Sequence, residues 1–350
     1  MIIDITGFGW SGSGAFVDFL SEYNENNHSK AIKHELAFLH NVDGIMDLEF
    51  KLVNKHCRTM DSDIAIKRFL SLIKGYCDKR STANSILTKI SNNYIRQITG
   101  IKYLSCSSYD RIYLYHNKKG LRHYYNLIVS ILFSNRLSRK VFGKSFASSI
   151  RSHRVNTKYL SYCPENFLSA TQDYMSKLFD ILRGNDQRNL ITDHLLPPDN
   201  PYSCLKYIGE EVKCIVVRRD PRDTYILAKE IYNGKIPIPV DTVDDFIWFY
   251  KHTIEETKTP DSNQVINLNF EDLIYDFERT KKIIEKFLGI SKHANPLQFF
   301  DPAISINNTQ LFKKYSKYSK DINKIEQLLA NSLYDFGQYS DMPNGVTSTF

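Results

Sequence analysis

Glycine and proline are scarce, 15 and 11 in 350 residues, too few for a collagen-like or low-complexity chain. The six cysteines, Cys57, Cys77, Cys106, Cys163, Cys204 and Cys214, form no C-x-x-C pair and stand at no zinc-finger spacing from histidine. Neither a metal framework nor a disulfide scaffold is expected. Long apolar runs are also missing. Leu127–Phe133, interrupted by Ser130, falls far short of the ~20 residues that cross a bilayer. Met1-Ile2-Ile3-Asp4-Ile5 has no basic region and no small-residue cleavage site after it. The expectation is a cytoplasmic, reduced protein that is neither exported nor membrane-spanning.

What remains is globular material, 42% hydrophobic and 24% charged, long enough for one large domain or a core with a sizeable insertion. The formal charge of +7 is unevenly spread. Between Arg96 and Leu160 stand thirteen basic residues and one acid, Asp110. The same stretch carries Tyr103, Tyr109, Tyr113, Tyr115, Tyr124, Tyr125 and Tyr159. Cations interleaved with aromatics suit a polyanion such as an acidic glycan, a nucleic acid or a membrane surface; a solvated helical insertion with inward tyrosines is the plainer alternative.

Along the chain, Ile2, Ile3 and Ile5 open a short strand that runs into Gly7-Phe8-Gly9-Trp10-Ser11-Gly12-Ser13-Gly14 and then a helical pattern. Asn24–Ser29 reads as a polar loop, and Ala31-Ile32 as the start of a second strand ending near Glu35. From Asp43 to about Leu182 the pattern is mostly helical, without clear strands. Further strands are expected at Leu190-Ile191-Thr192, at Lys213–Val217 and at Val265–Asn269. Helices are expected from Phe270 to about Leu288 and near Asp321–Tyr334. Strands separated by helical stretches predict an α/β protein with a parallel sheet. Ligands of such sheets sit beyond the carboxyl ends of the strands. There the glycine turn, Glu35, Asp193-His194 and Arg218–Asp223 would converge.

The glycine turn approaches the G-x-x-x-x-G-K-[ST] phosphate loop, but Ser13 and Gly14 stand where its lysine and hydroxyl belong. A cradle of backbone N–H groups at a helix start remains, and it attracts anions. Arg218-Arg219-Asp220-Pro221-Arg222-Asp223 ends the strongest strand. It reads as a multi-donor anion site or as a salt-bridged turn in which an aspartate caps the next helix.

With these two motifs the chain resembles the sulfotransferases that use 3′-phosphoadenosine-5′-phosphosulfate (PAPS), in particular bacterial carbohydrate or glycan sulfotransferases. Lys33-His34-Glu35-Leu36-Ala37-Phe38-Leu39 is similar to the segment that carries their glutamate base. Asn269-Phe270-Glu271-Asp272-Leu273, Phe287-Leu288-Gly289 and Phe300-Asp301-Pro302 with Ser305 and Asn308 resemble later family segments. The resemblance covers about residues 1–40 and 190–335. It implies a P-loop-kinase-like three-layer sandwich with a central parallel sheet. The core would span about 1–45 and 188–335, with 46–187 as a basic, tyrosine-rich, mostly helical insertion.

It further implies PAPS as co-substrate, no metal, and a carbohydrate hydroxyl as acceptor, on a cell-surface polysaccharide or its precursor. Trp10, Ser11, Gly12, Ser13 and Gly14 would hold the 5′-phosphosulfate and Arg219 the 3′-phosphate. Two positions depart from the family. Trp10 stands where a lysine is common, and Leu227 where a serine assists the 3′-phosphate. Lys33, Arg222 or Lys313-Lys314 are the candidate substitute cations. Glu35 is the candidate base, His194 its rival, and Asp193 would orient the acceptor. The expected partner is a glycan, an acidic one being suggested by the basic insertion; peripheral membrane association is a second expectation, and nucleic acid is not expected. The rival readings are a P-loop-type small-molecule or nucleotide kinase, which would require Mg-ATP, and a non-catalytic polyanion-binding protein.

Overall fold

A computed structural model of the chain describes residues 1–28, 35–55, 59–76, 82–105, 156–184, 186–234, 237–257 and 259–339. Residues 106–155, which hold most of the basic, tyrosine-bearing stretch, and Lys33 lie outside the described residues.

Five strands form one parallel sheet: β1 (Ile2–Gly7), β2 (Asn26–His28), β5 (Asn189–Asp193), β6 (Val212–Arg218) and β7 (Val265–Asn269), in the order β2-β5-β1-β6-β7. β1 is paired on both sides, with Ile3 opposite Ile191 of β5 and Lys213 of β6, and all six of its residues are buried. A strand covered on both faces needs a continuous apolar run, which explains the near-absence of alternation in β1 and β6. Successive side chains point to opposite faces. Ile2, Leu190, Cys214 and Val216 enter one hydrophobic cluster, while Ile3, Ile5, Ile191, Ile215 and Val217 enter another.

The second cluster is closed by helix Ser13–Ser21, through Phe16, Phe19 and Leu20, and by helix Phe277–Leu288, through Ile284 and Leu288. Burying a phenylalanine contributes roughly 1.5–3 kcal/mol, so Phe16 and Phe19 alone seat the first helix firmly. The first cluster is closed by helices Thr59–Tyr76, Thr82–Ile98 and Phe167–Arg183. In the last of these Phe167, Ala170, Thr171, Tyr174, Met175, Leu178, Phe179 and Leu182 are buried, the spacing of a single helical stripe. Helices of the segment 46–187 thus share one core with the sheet and cover one of its faces.

Four expectations about local structure need adjustment. The strand expected from Ala31-Ile32 falls on 29–34, outside the described residues, while a strand stands at Asn26–His28, inside the expected polar loop. Its three polar residues form a strand because they pair with Asn189–Ile191, and Asn26 Nδ2 donates to Leu20 O at 3.0 Å. Tertiary pairing overrides weak strand propensity there. The segment read as helical also contains an antiparallel ribbon, β3 (Ile101–Ser105) with β4 (Asn156–Leu160). Its anchor is a buried ion pair between Lys158 and Asp63 at 3.2 Å. The helix expected from Phe270 onward is two helices, Phe270–Tyr275 and Phe277–Leu288, and the last long helix is Ser319–Leu328. No helix among the described residues is long and apolar enough to cross a membrane.

The connection from β1 leads to the edge strand β2, with β5 filling the gap, while β6 and β7 lie on the other side of β1. The strand order reverses around β1. Its carboxyl end is therefore the crevice where a doubly wound sheet binds ligands.

Candidate functional site

At that crevice β1 gives way to the glycine loop. Ser11 N donates to Phe8 O at 2.9 Å, folding the loop back over the strand end. Gly7 has to be glycine: a Cβ there would lie 2.0 Å from Ser11 Oγ and 2.9 Å from Val217 O. Gly12 has φ 87°, and a Cβ on it would lie 2.4 Å from the Phe270 ring. Trp10 also holds a positive φ, 65°, with its indole stacked on Tyr232 at 3.8 Å between ring centres. Ser13 and Gly14 head the helix Ser13–Ser21, and the first N–H groups of a helix have no intrahelical partner.

The arginine turn reaches the same loop. Asp220 caps helix Pro221–Ile226 by accepting from Arg222 N at 2.8 Å. Arg219 is 6% exposed; its Nη1 donates to Trp10 O at 3.2 Å and its Nη2 to Asn308 O. Its guanidinium lies over Phe270, 4.8 Å from the ring centre, so Arg219 and Gly12 pack on the same aromatic side chain. Burial lowers the Arg219 pKa. Arg218 stacks on Phe8 and donates to Asn267 Oδ1 and Ile254 O.

Arg222 does not join this group. Asp220 binds it through two oxygens, Nε–Oδ1 3.0 Å and Nη2–Oδ2 2.7 Å, and Glu326 accepts from its Nη1 at 2.9 Å. It is the salt-bridged half of the turn. Lys313 Nζ donates to Gln310 Oε1 at 2.5 Å, and Gln310 N to Asp223 Oδ2 at 2.7 Å. That places Lys313 two hydrogen bonds from the arginine turn. Leu227 is fully buried in an apolar cluster with Phe246 and Ile226.

Glu35, Asp193 and His194 come together, each with an oxygen or ring nitrogen within 4.8 Å of the others. Leu36 N donates to Asp193 O at 2.8 Å, which brings Glu35 to the end of β5. His194 Nδ1 lies 2.7 Å from Asp193 Oδ1, and Nε2 lies 2.9 Å from the Gly7 carbonyl oxygen. Both partners accept, so both ring nitrogens carry protons. Burial alone would lower the His194 pKa, but the Asp193 hydrogen bond and charge, with Glu35 and Asp4 adding to them, raise it to about 9. A ring that is already protonated at neutral pH is a poor proton acceptor, which weighs against His194 as the base. The 2.7 Å Asp193–His194 contact is also shorter than the ~3.3 Å between two ligands of a tetrahedral zinc ion at ~2.0 Å. A shared proton fits that contact better than a shared metal ion.

Buried polar atoms without a partner mark the site further. Among the described residues these include Ser11 Oγ, Arg218 Nη2, Arg219 Nε, Glu271 Oε2 and Asn308 Oδ1, all on the loop or on residues that touch or flank its contacts. Such groups are rare in folded proteins and call for a polar ligand or water. Glu271 accepts from Asp220 N at 3.0 Å, and burial pushes its pKa up to about 8. A cavity of about 420 Å³ lies elsewhere, between Asp43, Asp47, Phe50, Lys51, Asp61 and Arg68, and shares no residue with this cluster.

Glycine loop, Arg219 and the Glu35–Asp193–His194 group, all singled out in the sequence, therefore meet at one end of the sheet. Sequence reasoning gave no binding or catalytic role to Phe270, Glu271 and Asn308. The signal available for all three was their place in the later segments that resemble the family. Comparison with protein-family models, curated proteins and solved structures finds no match for this chain.

Proposed function

We propose that the protein is a PAPS-dependent sulfotransferase acting on a carbohydrate hydroxyl. The observation that carries the reading is the set of unpartnered buried polar atoms around the glycine loop, Ser11 Oγ and Arg219 Nε above all, beside a helix start that favours anions. The strand order β2-β5-β1-β6-β7, with the first strand central and the glycine loop at the point of reversal, supports the finer P-loop-kinase-like fold. Ser13 in place of the loop lysine counts against Mg-ATP chemistry.

In this reading the acceptor oxygen attacks the sulfur of PAPS while its proton passes to the Glu35 carboxylate. The bond from sulfur to the bridging oxygen breaks, and 3′-phosphoadenosine-5′-phosphate departs with that electron pair. Positioning and electrostatics do most of the catalysis in such loose transfers. Glu35 suits the base because it is exposed at the crevice and adjoins Asp193 and His194. Loop N–H groups and Arg219 meet the donor, and Asp193 orients the acceptor. Arg222 is left to hold the turn.

The test is a thermal-shift titration with 3′-phosphoadenosine-5′-phosphate and with ATP, each with and without magnesium. Stabilisation by the bisphosphate without metal supports the proposal, since ligand at 100 times its Kd adds about 2.7 kcal/mol. Stabilisation by Mg-ATP alone would move the protein to the kinase class.

A further inference from the structure

His194 sits in a backbone conformation that is uncommon for residues other than glycine. Its φ is 57°, the left-handed region populated mainly by glycine and, among other residues, by asparagine, aspartate and histidine. Outliers of this kind persist where the surroundings over-determine them, and they concentrate at functional sites. The unusual turn carries the side chain from the end of β5 back over the end of β1. There the ring spans 2.7 Å to Asp193 Oδ1 on one side and 2.9 Å to Gly7 O on the other. The backbone is pinned as well: His194 N donates to Ile5 O at 2.9 Å, and His194 O lies 3.1 Å from His40 Nε2. Gly7 is the last residue of β1 and the first of the glycine loop.

We infer that His194 is a positioning residue, an imidazolium clamped between Asp193 and the Gly7 carbonyl, which fixes the start of the glycine loop and supplies positive charge where the loop has no lysine. Neither N–H is free for a ligand, so His194 acts through the loop and through its field. The charged and titratable groups facing it are Asp193 of β5, Asp4 of β1, Glu35, and His40 across the backbone carbonyl. Three of the four are acids, and together they outweigh the effect of burial, which alone would discharge the ring. Burial lowers the pKa of His40, so the charge is held on one ring of the pair. The charge role rests on the anion-binding reading of the loop; the clamp does not.

The experiment is long-range ¹H–¹⁵N correlation on ¹⁵N-histidine-labelled full-length protein, with the ring assigned by its loss in His194→Gln. Two protonated nitrogens at pH 7.5, titrating together near pH 9, are expected. Asp193→Asn keeps the ring and should lower that midpoint by at least one unit, a tenfold fall in proton affinity. A bare nitrogen on His194 at pH 7.5, or an unmoved midpoint in Asp193→Asn, would overturn the clamp. Affinity for 3′-phosphoadenosine-5′-phosphate is measured in parallel and should fall about threefold or more in Asp193→Asn at pH 9, where about half of the wild-type rings are charged and the unclamped ring is largely neutral. Unchanged affinity there overturns the charge role. If the wild-type protein binds no bisphosphate while the ring is doubly protonated, the clamp stands, and it is the sulfotransferase proposal and the charge role built on it that fail.

Discussion

Arg219 Nη1 donates to the carbonyl oxygen of Trp10 at 3.2 Å, joining residues 209 positions apart. The bond ties the turn after β6 to the loop after β1, and Nη2 continues the tie to Asn308. One guanidinium thus fastens three segments at the end of the sheet. Removing it leaves two part-buried carbonyls without donors, each a loss of up to about 1–3 kcal/mol. Arg219→Ala should lose about 2–5 kcal/mol in urea denaturation, and Arg219→Lys less. Bisphosphate affinity should fall in both variants. A loss of stability below about 1 kcal/mol in Arg219→Ala would contradict the fastening role.

The glycines of the loop should respond in opposite directions. Gly7→Ala and Gly12→Ala meet Ser11 Oγ at 2.0 Å and the Phe270 ring at 2.4 Å, and Gly12 also needs φ 87°. Both should destabilise by more than ~1 kcal/mol. Gly14 has open space around its Cα and sits in the first turn of the helix, so Gly14→Ala should gain up to about 0.5–1 kcal/mol. Denaturant midpoints of the three variants test the loop geometry directly.

Under the proposed function, Glu35→Gln should lower sulfuryl transfer by about 10²–10⁴-fold. Because Glu35 is exposed, the melting temperature should change little, and bisphosphate affinity should stay at the wild-type value. Single-turnover assays with PAPS and a glycan acceptor separate these quantities. Undiminished transfer would remove Glu35 from the mechanism.

Stability should decline as pH rises from about 5 to 9. Burial, with the charge of Asp220 adding to it, raises Glu271 from an ordinary 4.5 to about 8 and Asp223 from 3.8 to about 7. A raised folded-state pKa means the proton is held more tightly in the folded protein. That contribution is full below the unfolded pKa and is lost as pH climbs through the folded value. His194, raised from 6.5 to about 9, acts in the same direction at higher pH. Glu271→Gln should flatten the decline between roughly pH 4.5 and 8. Urea midpoints near pH 5, 7 and 9 give the slope, and stability that rises over this range would refute the assignment.

The ribbon β3–β4 depends on Lys158 and Asp63, whose side chains are 2% and 4% exposed. Asp63→Ala leaves a buried ammonium without its carboxylate and should cost about 3–5 kcal/mol. Asp63→Leu combined with Lys158→Met should recover much of that loss. Equal losses in the single and double variants would show that the pair contributes nothing beyond packing.

Much of this architecture was legible without coordinates. The β-branched run Lys213–Val217 and the apolar start Ile2–Ile5 announce buried parallel strands, because a strand covered on both faces can carry few polar groups. Gly7 and Gly12 announce the loop, because backbone folded this tightly leaves no room for a Cβ. The aspartates of the arginine turn announce a helix cap, a role the structure gives to Asp220. These are local properties, and neighbouring residues suffice to dictate them.

Tertiary structure decided the rest. Asn26–His28 is a strand because β5 lies beside it, and Lys158 of β4 is buried because Asp63 waits on a helix. The identical residue type at 219 and 222 gives a loop fastener in one case and a saturated salt bridge in the other. His194, open to reading as a base, becomes a held cation because Gly7 O and Asp193 both accept from it. Protonation state, burial and partner choice depend on what distant segments bring into the same few ångströms, and no pattern along the chain encodes those distances.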